Sequence, residues 1–166
     1  MKLSSQRIVF SGVKNCSPVT PASTPVEIKL SFTARNYSIP AGKYTVFQAP
    51  GQSGTLDLLT GGLLSGSELT NRRFDLRLVT TFAVRGEEIV TYPKGLKVRS
   101  LPEKVDVNYG DFRLARDIES KENTLRIRRV VDFSTLDISL DRYHQLQELL
   151  QKAETMGRGQ VVLTKS

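Results

Sequence analysis

The side chains of widest chemical range in this 166-residue chain are one cysteine, Cys16, and one histidine, His144. A nucleophilic thiolate needs a base within hydrogen-bond reach, and Lys14 is near enough in sequence to Cys16 to lower a thiol pKa. His144, however, falls in a helical stretch near the far end of the chain. It stands beside Tyr143 and one position off an apolar stripe, the usual place of a partly exposed structural histidine. One cysteine excludes an internal disulfide, and one histidine excludes a three-histidine metal site, a zinc finger and most histidine dyads. Carboxylate neighbours such as Asp117 with Glu119, or Glu87 with Glu88, have the chemistry for acid–base work, but each falls at an expected turn or on the solvated side of a strand. Gly61-Gly62-Leu63-Leu64-Ser65-Gly66 shares only its glycines with a phosphate-cradling loop, because no Gly-Lys-Ser/Thr follows. Asn36-Tyr37-Ser38 and Asn15-Cys16-Ser17 match the glycosylation acceptor pattern, which arises often by chance. We therefore expect no catalytic residue, no metal and no cofactor.

The arginines are the strongest remaining polar signal. Arg72, Arg73, Arg77, Arg85, Arg99, Arg113, Arg116, Arg126, Arg128 and Arg129 all lie in the middle of the chain. Arg126 and Arg128 share one strand face, opposite Leu125 and Ile127, and with Arg113 and Arg77 they are the candidate contacts for an anion or a partner. Asp75, Glu87, Glu88, Asp111, Asp117, Glu119, Glu122 and Asp132 dilute the positive charge in the same region, so the primary expectation is a solvated, partly ion-paired face. Aromatic interleaving of the kind that stacks bases is thin, and there is no tryptophan.

Across the whole chain, 24 Lys and Arg face 17 Asp and Glu, a net charge of +7 that permits attraction to nucleic acid or another anionic polymer without selecting one. The 39% apolar and 25% charged content fits an ordinary globular domain. No apolar run reaches the roughly 18 residues of a membrane-crossing helix. Met1 to Phe10 is too polar for the apolar stretch of a signal peptide, so the expectation is a cytoplasmic chain or one whose export signal lies upstream.

The elements that must position these residues are mostly strands. Thr20 to Pro25, with two prolines, reads as a linker after the apolar stretch Ile8 to Val13, dividing an N-terminal strand and linker (1–25) from a main domain (26–166). Val26, Ile28, Leu30 and Phe32 alternate with polar residues in a strand reading that runs to Ile39, and Tyr44 to Phe47 suggests another short strand. The leucine- and glycine-rich stretch 51–69 has too much aliphatic surface for water and too many glycines for a helix. Phe74, Leu76 and Leu78 start a run through Val84 to a turn at Arg85-Gly86-Glu87-Glu88, then Ile89 to Tyr92, which predicts a hairpin. A second hairpin is expected from Phe112 to Ile118, a turn at Glu119 to Asn123, and a strand from Leu125. Leu140, Tyr143, Leu146, Leu150 and Ala153 recur at three and four residues, with Leu149 and Met156 widening the stripe, which predicts an amphipathic helix over about 140–156, capped by Ser139 or Asp141 and ended by Gly157. Gln160 to Leu163 reads as a last strand.

A series of landmarks follows in order: Arg35-Asn36-Tyr37-Ser38-Ile39, Tyr92-Pro93-Lys94-Gly95-Leu96-Lys97-Val98, Leu101-Pro102, the strand at Phe112, Asn123-Thr124-Leu125-Arg126-Ile127-Arg128-Arg129, the helix at Tyr143-His144-Gln145-Leu146, and the closing Gln160-Val161-Val162-Leu163. Over roughly residues 35–165 this order resembles the C-terminal β-rich domain of bacterial transglutaminase-like proteins, whose catalytic core is papain-like. The resemblance implies architecture more than chemistry. The family's catalytic cysteine, histidine and aspartate belong to the core, and no segment here resembles it, so no catalytic residue carries over. It also implies a periplasmic or cell-envelope location.

The expected fold is mainly β, an Ig-like antiparallel β-sandwich with one C-terminal helix. Its core is expected from Val26, Ile28, Leu30, Phe74, Leu76, Leu78, Phe112, Leu114, Leu125 and Ile127, with Tyr143, Leu146, Leu150 and Ala153 packing the helix. The expected function is a non-catalytic accessory or interaction domain whose partner is a protein or an adjacent transglutaminase-like domain. The alternative is a basic module that grips nucleic acid or an anionic polymer through the strand-borne arginines.

Overall fold

Along Thr124–Phe133 every second side chain is buried: Leu125, Ile127, Arg129, Val131 and Phe133 point inward while Arg126 and Arg128 point to solvent. This two-residue period is what a strand with one covered face requires. A computed structural model describes residues 7–17, 26–48 and 71–165. In chain order its elements are β1 (Arg7–Ser17), β2 (Val26–Arg35), β3 (Ile39–Ala41), β4 (Tyr44–Gln48), β5 (Leu76–Arg77), β6 (Phe82–Thr91), β7 (Leu96–Ser100), β8 (Val105–Asn108), β9 (Phe112–Lys121), β10 (Thr124–Phe133), β11 (Asp137–Ile138), α1 (Leu140–Gly157) and β12 (Gln160–Lys165).

The strands form a six-stranded antiparallel sheet in the order β2-β1-β6-β10-β9-β8, a four-stranded antiparallel sheet β3-β4-β12-β7, and the short pair β11-β5. One face of the large sheet is covered by two different things. Near one end of β6, β9 and β10, the side chains Phe82, Phe112, Leu114, Val131 and Phe133 pack beneath Tyr143, Leu146, Leu149, Ala153 and Met156 of α1. Near the other end, Val90, Tyr92, Leu125 and Ile127 pack beneath Phe47, Val161 and Leu163 of the small sheet. The expected mainly β architecture with one C-terminal helix is thus present, and its layers pack as a sandwich, with α1 standing in for part of the second layer. The expected first strand lies inside the large sheet, where β1 pairs with both β2 and β6.

Several local expectations are corrected. Arg85-Gly86-Glu87-Glu88 is no turn: it runs through the middle of β6, opposite Val130 to Ile127 on β10. Alternation sends Glu87 to the outer face and Glu88 to the inner one, and each meets an arginine there, so a polar run that reads as a loop stays extended. Phe74 is not core but 79% exposed, because residues 71–75 are irregular and the regular strand begins only at Leu76. The strand from Val26 stops at Arg35, where Asn36 takes φ 58, and resumes as β3. On α1 the widening residues Leu149 and Met156 are core, while Leu150 is only at the margin. The side chains of Val26, Ile28 and Leu30, and the whole of 51–69, lie outside the described residues.

The second hairpin forms, but with a tighter turn than the expected Glu119 to Asn123, because Glu119, Ser120 and Lys121 stay in β9 and pair with β10. Only Glu122 and Asn123 connect β9 to β10, and Glu122 takes φ 53, a region that side chains other than glycine rarely enter. Tyr92 holds this turn: its hydroxyl donates to the Glu122 carbonyl at 2.8 Å, and its backbone N–H donates to the Asn123 carbonyl at 3.0 Å. Helix α1 starts at the predicted place, but the Ser139 side chain makes no capping bond. The Asp75 carboxylate accepts from the Leu140 N–H instead, at 3.1 Å, doing from another segment what a local N-cap side chain normally does.

Candidate interaction surfaces

The four candidate arginines occupy the outside of the sheets. Arg126 and Arg128, on β10, are brought together as the two-residue period predicts, and both reach Glu87 on β6, with Nε to Oε1 distances of 3.3 and 3.4 Å. Arg128 also lies 3.1 Å from Glu119 and 3.8 Å from Asp117 on β9. The Glu119 carboxylate, foremost, raises the pKa of the Arg128 guanidinium. Arg113 is on the same outer face but farther along β9, where it pairs with Asp106 at 3.6 Å. Arg77 belongs to the small β11-β5 pair and faces Asp137 at 3.7 Å. The outer face is therefore a lattice of exposed ion pairs, each weak in water and weaker in salt.

The inner face carries charge in a place the sequence reading did not single out. Between the two apolar clusters, Arg129 stands opposite Gly86 on one side and Arg116 on the other, with Glu88 two residues along β6 on the same face. Arg129 is 7% exposed and Arg116 only 3%. Arg129 Nη2 donates to Glu88 Oε2 at 2.7 Å, a half-sheltered ion pair. Arg116 has no carboxylate in hydrogen-bond contact among the described residues. Its Nη1 donates to the Met156 carbonyl at 2.6 Å, its Nη2 to the Glu103 carbonyl at 2.7 Å, and its Nε has no acceptor. Burial lowers the pKa of this guanidinium, the neighbouring Arg129 charge lowers it further, and Glu103 opposes both. The same burial, reinforced by Glu88, raises the pKa of the half-buried Tyr37 phenol.

A signal for this seam exists in the sequence. In Phe112-x-Leu114-x-Arg116-x-Ile118 and Leu125-x-Ile127-x-Arg129-x-Val131, an arginine takes the inward phase of an otherwise apolar alternation. The seam lies where α1 gives way to β12. Met156 offers Arg116 one of the last carbonyls of α1, the negative end of the helix dipole. Gly159 then passes so close to Pro102 and Arg116 that a Cβ there would stand 2.8 Å from Pro102 Cβ. Beside the seam an open cleft of about 380 Å³ runs between Lys104–Val107 and the last turns of α1, with Arg116 in its wall.

Residues 62–163, more than half of the chain, match the family described as a Domain of Unknown Function with solved-structure structure (DUF3858). The chain belongs to this family. The DUF3858 stretch holds Glu88, Arg116, Arg129, the cleft and all four candidate arginines, and leaves β1 to β4 outside it. Neither the curated proteins nor the solved structures gave a match to this chain.

Of the remaining candidates, His144 is exposed on α1. Cys16 pairs through its backbone with Val26 and Val84, and its side chain lies outside the described residues. Among the described residues, no three His, Cys, Asp or Glu side chains gather as a metal site, and no helix is long and apolar enough to cross a membrane.

Proposed function

We propose that this chain is a non-catalytic interaction domain of a transglutaminase-like protein of the bacterial cell envelope, docking on the catalytic core or a neighbouring protein and shaping access to it. The landmarks from Arg35 to Leu163 support the association. The observation that carries the choice of a protein partner over an anionic polymer is the pairing of the candidate arginines. Arg126, Arg128, Arg113 and Arg77 each have a carboxylate within 4.0 Å, so a phosphate would have to displace an existing partner at every one of them.

The test begins with the genomic DNA on either side of these residues. The reading expects the open frame to include a segment with a cysteine, a histidine and an aspartate in a transglutaminase-like core. That core and this chain, expressed separately and mixed, should co-elute, and their affinity should fall only modestly between about 50 and 200 mM salt. Neutralisation of six to ten phosphates would instead cost roughly 10³–10⁵ in affinity over that range. A frame without such a core, or tight binding to DNA or RNA with that steep salt dependence, overturns the reading.

A further inference from the structure

The cleft beside the seam carries a more specific statement about the partner, one that rests on the interaction-domain reading. Among the described residues, β8 is an edge strand that pairs only with β9. Four successive residues, Lys104 just before β8 and Val105 to Val107 within it, line the cleft. A cleft on one face of a strand would meet every second residue, so this run means that it sees β8 along its hydrogen-bonding edge. An edge of this kind is a template for an added strand.

The unpaired charge in the cleft is net positive. Lys104 and Asp106 are engaged by Asp117 and Arg113 on β9, at 3.3 and 3.6 Å. What remains along the wall is Arg116, Lys152 of α1 and the exposed Glu103. Arg116 is a buried cation whose two hydrogen-bonded acceptors are neutral carbonyls, and three of its five N–H groups make no bond to them. A buried charge is costly unless it is paired, and a carboxylate is the group whose planar geometry matches a guanidinium. Val105 and Val107, partly buried against the α1 cluster, supply apolar footing on the same strand.

We infer that this cleft receives an extended acidic segment of a protein partner, which adds a strand to the β8 edge, rests apolar side chains on Val105 and Val107, and sets a carboxylate against Arg116 and Lys152. The occupant is a peptide rather than a small anion, because the cleft offers backbone edge and apolar contact as well as charge.

The experiment selects a displayed library of random peptides, about six to ten residues long as strands are, on the full chain. The binders should be enriched in Asp or Glu among alternating apolar residues. Replacing the acidic residue of a selected peptide by its amide, or Lys152 by glutamate in the chain, should weaken binding about tenfold. Lys152 is exposed, so K152E keeps the fold, and thermal unfolding checks this. Amide resonances of Lys104–Val107 should shift in the isotope-labelled chain on peptide addition. Binders without acidic residues, no binders, shifts confined to the outer face near Arg126, or equal shifts with acetate alone overturn the inference. If the transglutaminase-like core binds K152E as well as the parent chain, the cleft assignment falls and the docking reading stands. If acidic peptides bind and the core does not, the docking reading falls and the cleft stands.

Discussion

Replacing Gly159 by alanine tests the junction between α1 and β12. A Cβ there would lie 2.8 Å from Pro102 Cβ, 3.0 Å from Arg116 Nη1 and 3.2 Å from Pro102 Cγ. Ordinary carbon–carbon contact is about 3.5–4.0 Å, so something must move by several tenths of an ångström. Neither neighbour gives easily. Pro102 is a rigid ring, and Arg116 is anchored through both terminal nitrogens to the Met156 and Glu103 carbonyls. Overpacking of this kind costs about 1–3 kcal/mol. It must also exceed the roughly 0.4–1 kcal/mol that Gly→Ala gains by restricting the unfolded chain. At about 2–4 °C per kcal/mol for a chain of this length, the unfolding midpoint should fall by several degrees. Gly86→Ala is the control, since its Cβ would meet nothing within 4 Å, and its midpoint should stay level or rise. Pro102→Gly removes the nearest atoms, and a double-mutant cycle with Gly159→Ala should return a coupling of about 1–2 kcal/mol. A G159A midpoint equal to the parent's, or a cycle with no coupling, would refute the reasoning.

Other substitutions test the seam, the helix cap and the alkaline limit. Arg129→Ala removes the cation 2.7 Å from the sheltered Glu88 carboxylate and should lower the stability read by urea unfolding, by up to the about 3–5 kcal/mol of a broken buried pair, whereas Arg129→Met with Glu88→Leu should recover most of the loss. Asp75→Ala removes the acceptor of the Leu140 N–H and should cost about 0.5–2 kcal/mol, with faster amide exchange confined to the first turn of α1. The Tyr37 phenol has its pKa raised above 10.0 by burial and by Glu88. Its contribution is therefore full below pH 10.0 and is lost as the pH rises through the folded value, so Tyr37→Phe should flatten the alkaline fall of the unfolding midpoint. Arg128→Ala touches only exposed pairs and should leave the midpoint nearly unchanged, and a large loss would mean that the outer lattice is more than a solvated face.

The strands from Phe112 to Phe133, helix α1 and the closing strand were legible because each is long and strongly periodic, and period alone separates a covered face from a wet one. The pairing of Arg126 with Arg128 on one face followed from the same rule. Arg85 to Glu88 misled because a local polar run reads as a turn until the arginines that neutralise it are in place, and Arg126, Arg128 and Arg129 come some forty residues later. Phe74 misled in the opposite way, since its apolar spacing fits a strand that does not begin until Leu76.

What the sequence determined by itself is the class of the fold and the scarcity of thiol and imidazole: alternation makes the strands, a change of period makes the C-terminal helix, and one cysteine and one histidine bound what those groups can assemble. What only the tertiary structure decided is where charge meets the interior. Arg116, Arg129 and Glu88 become a seam because three strands align in one register and because the chain changes cover above them, from α1 to β12, within two residues. Helix α1 is likewise capped by Asp75, sixty-five positions away from the N–H that it accepts. Periodicity is a property of neighbours along the chain, while burial of a charge depends on what the rest of the chain lays over it.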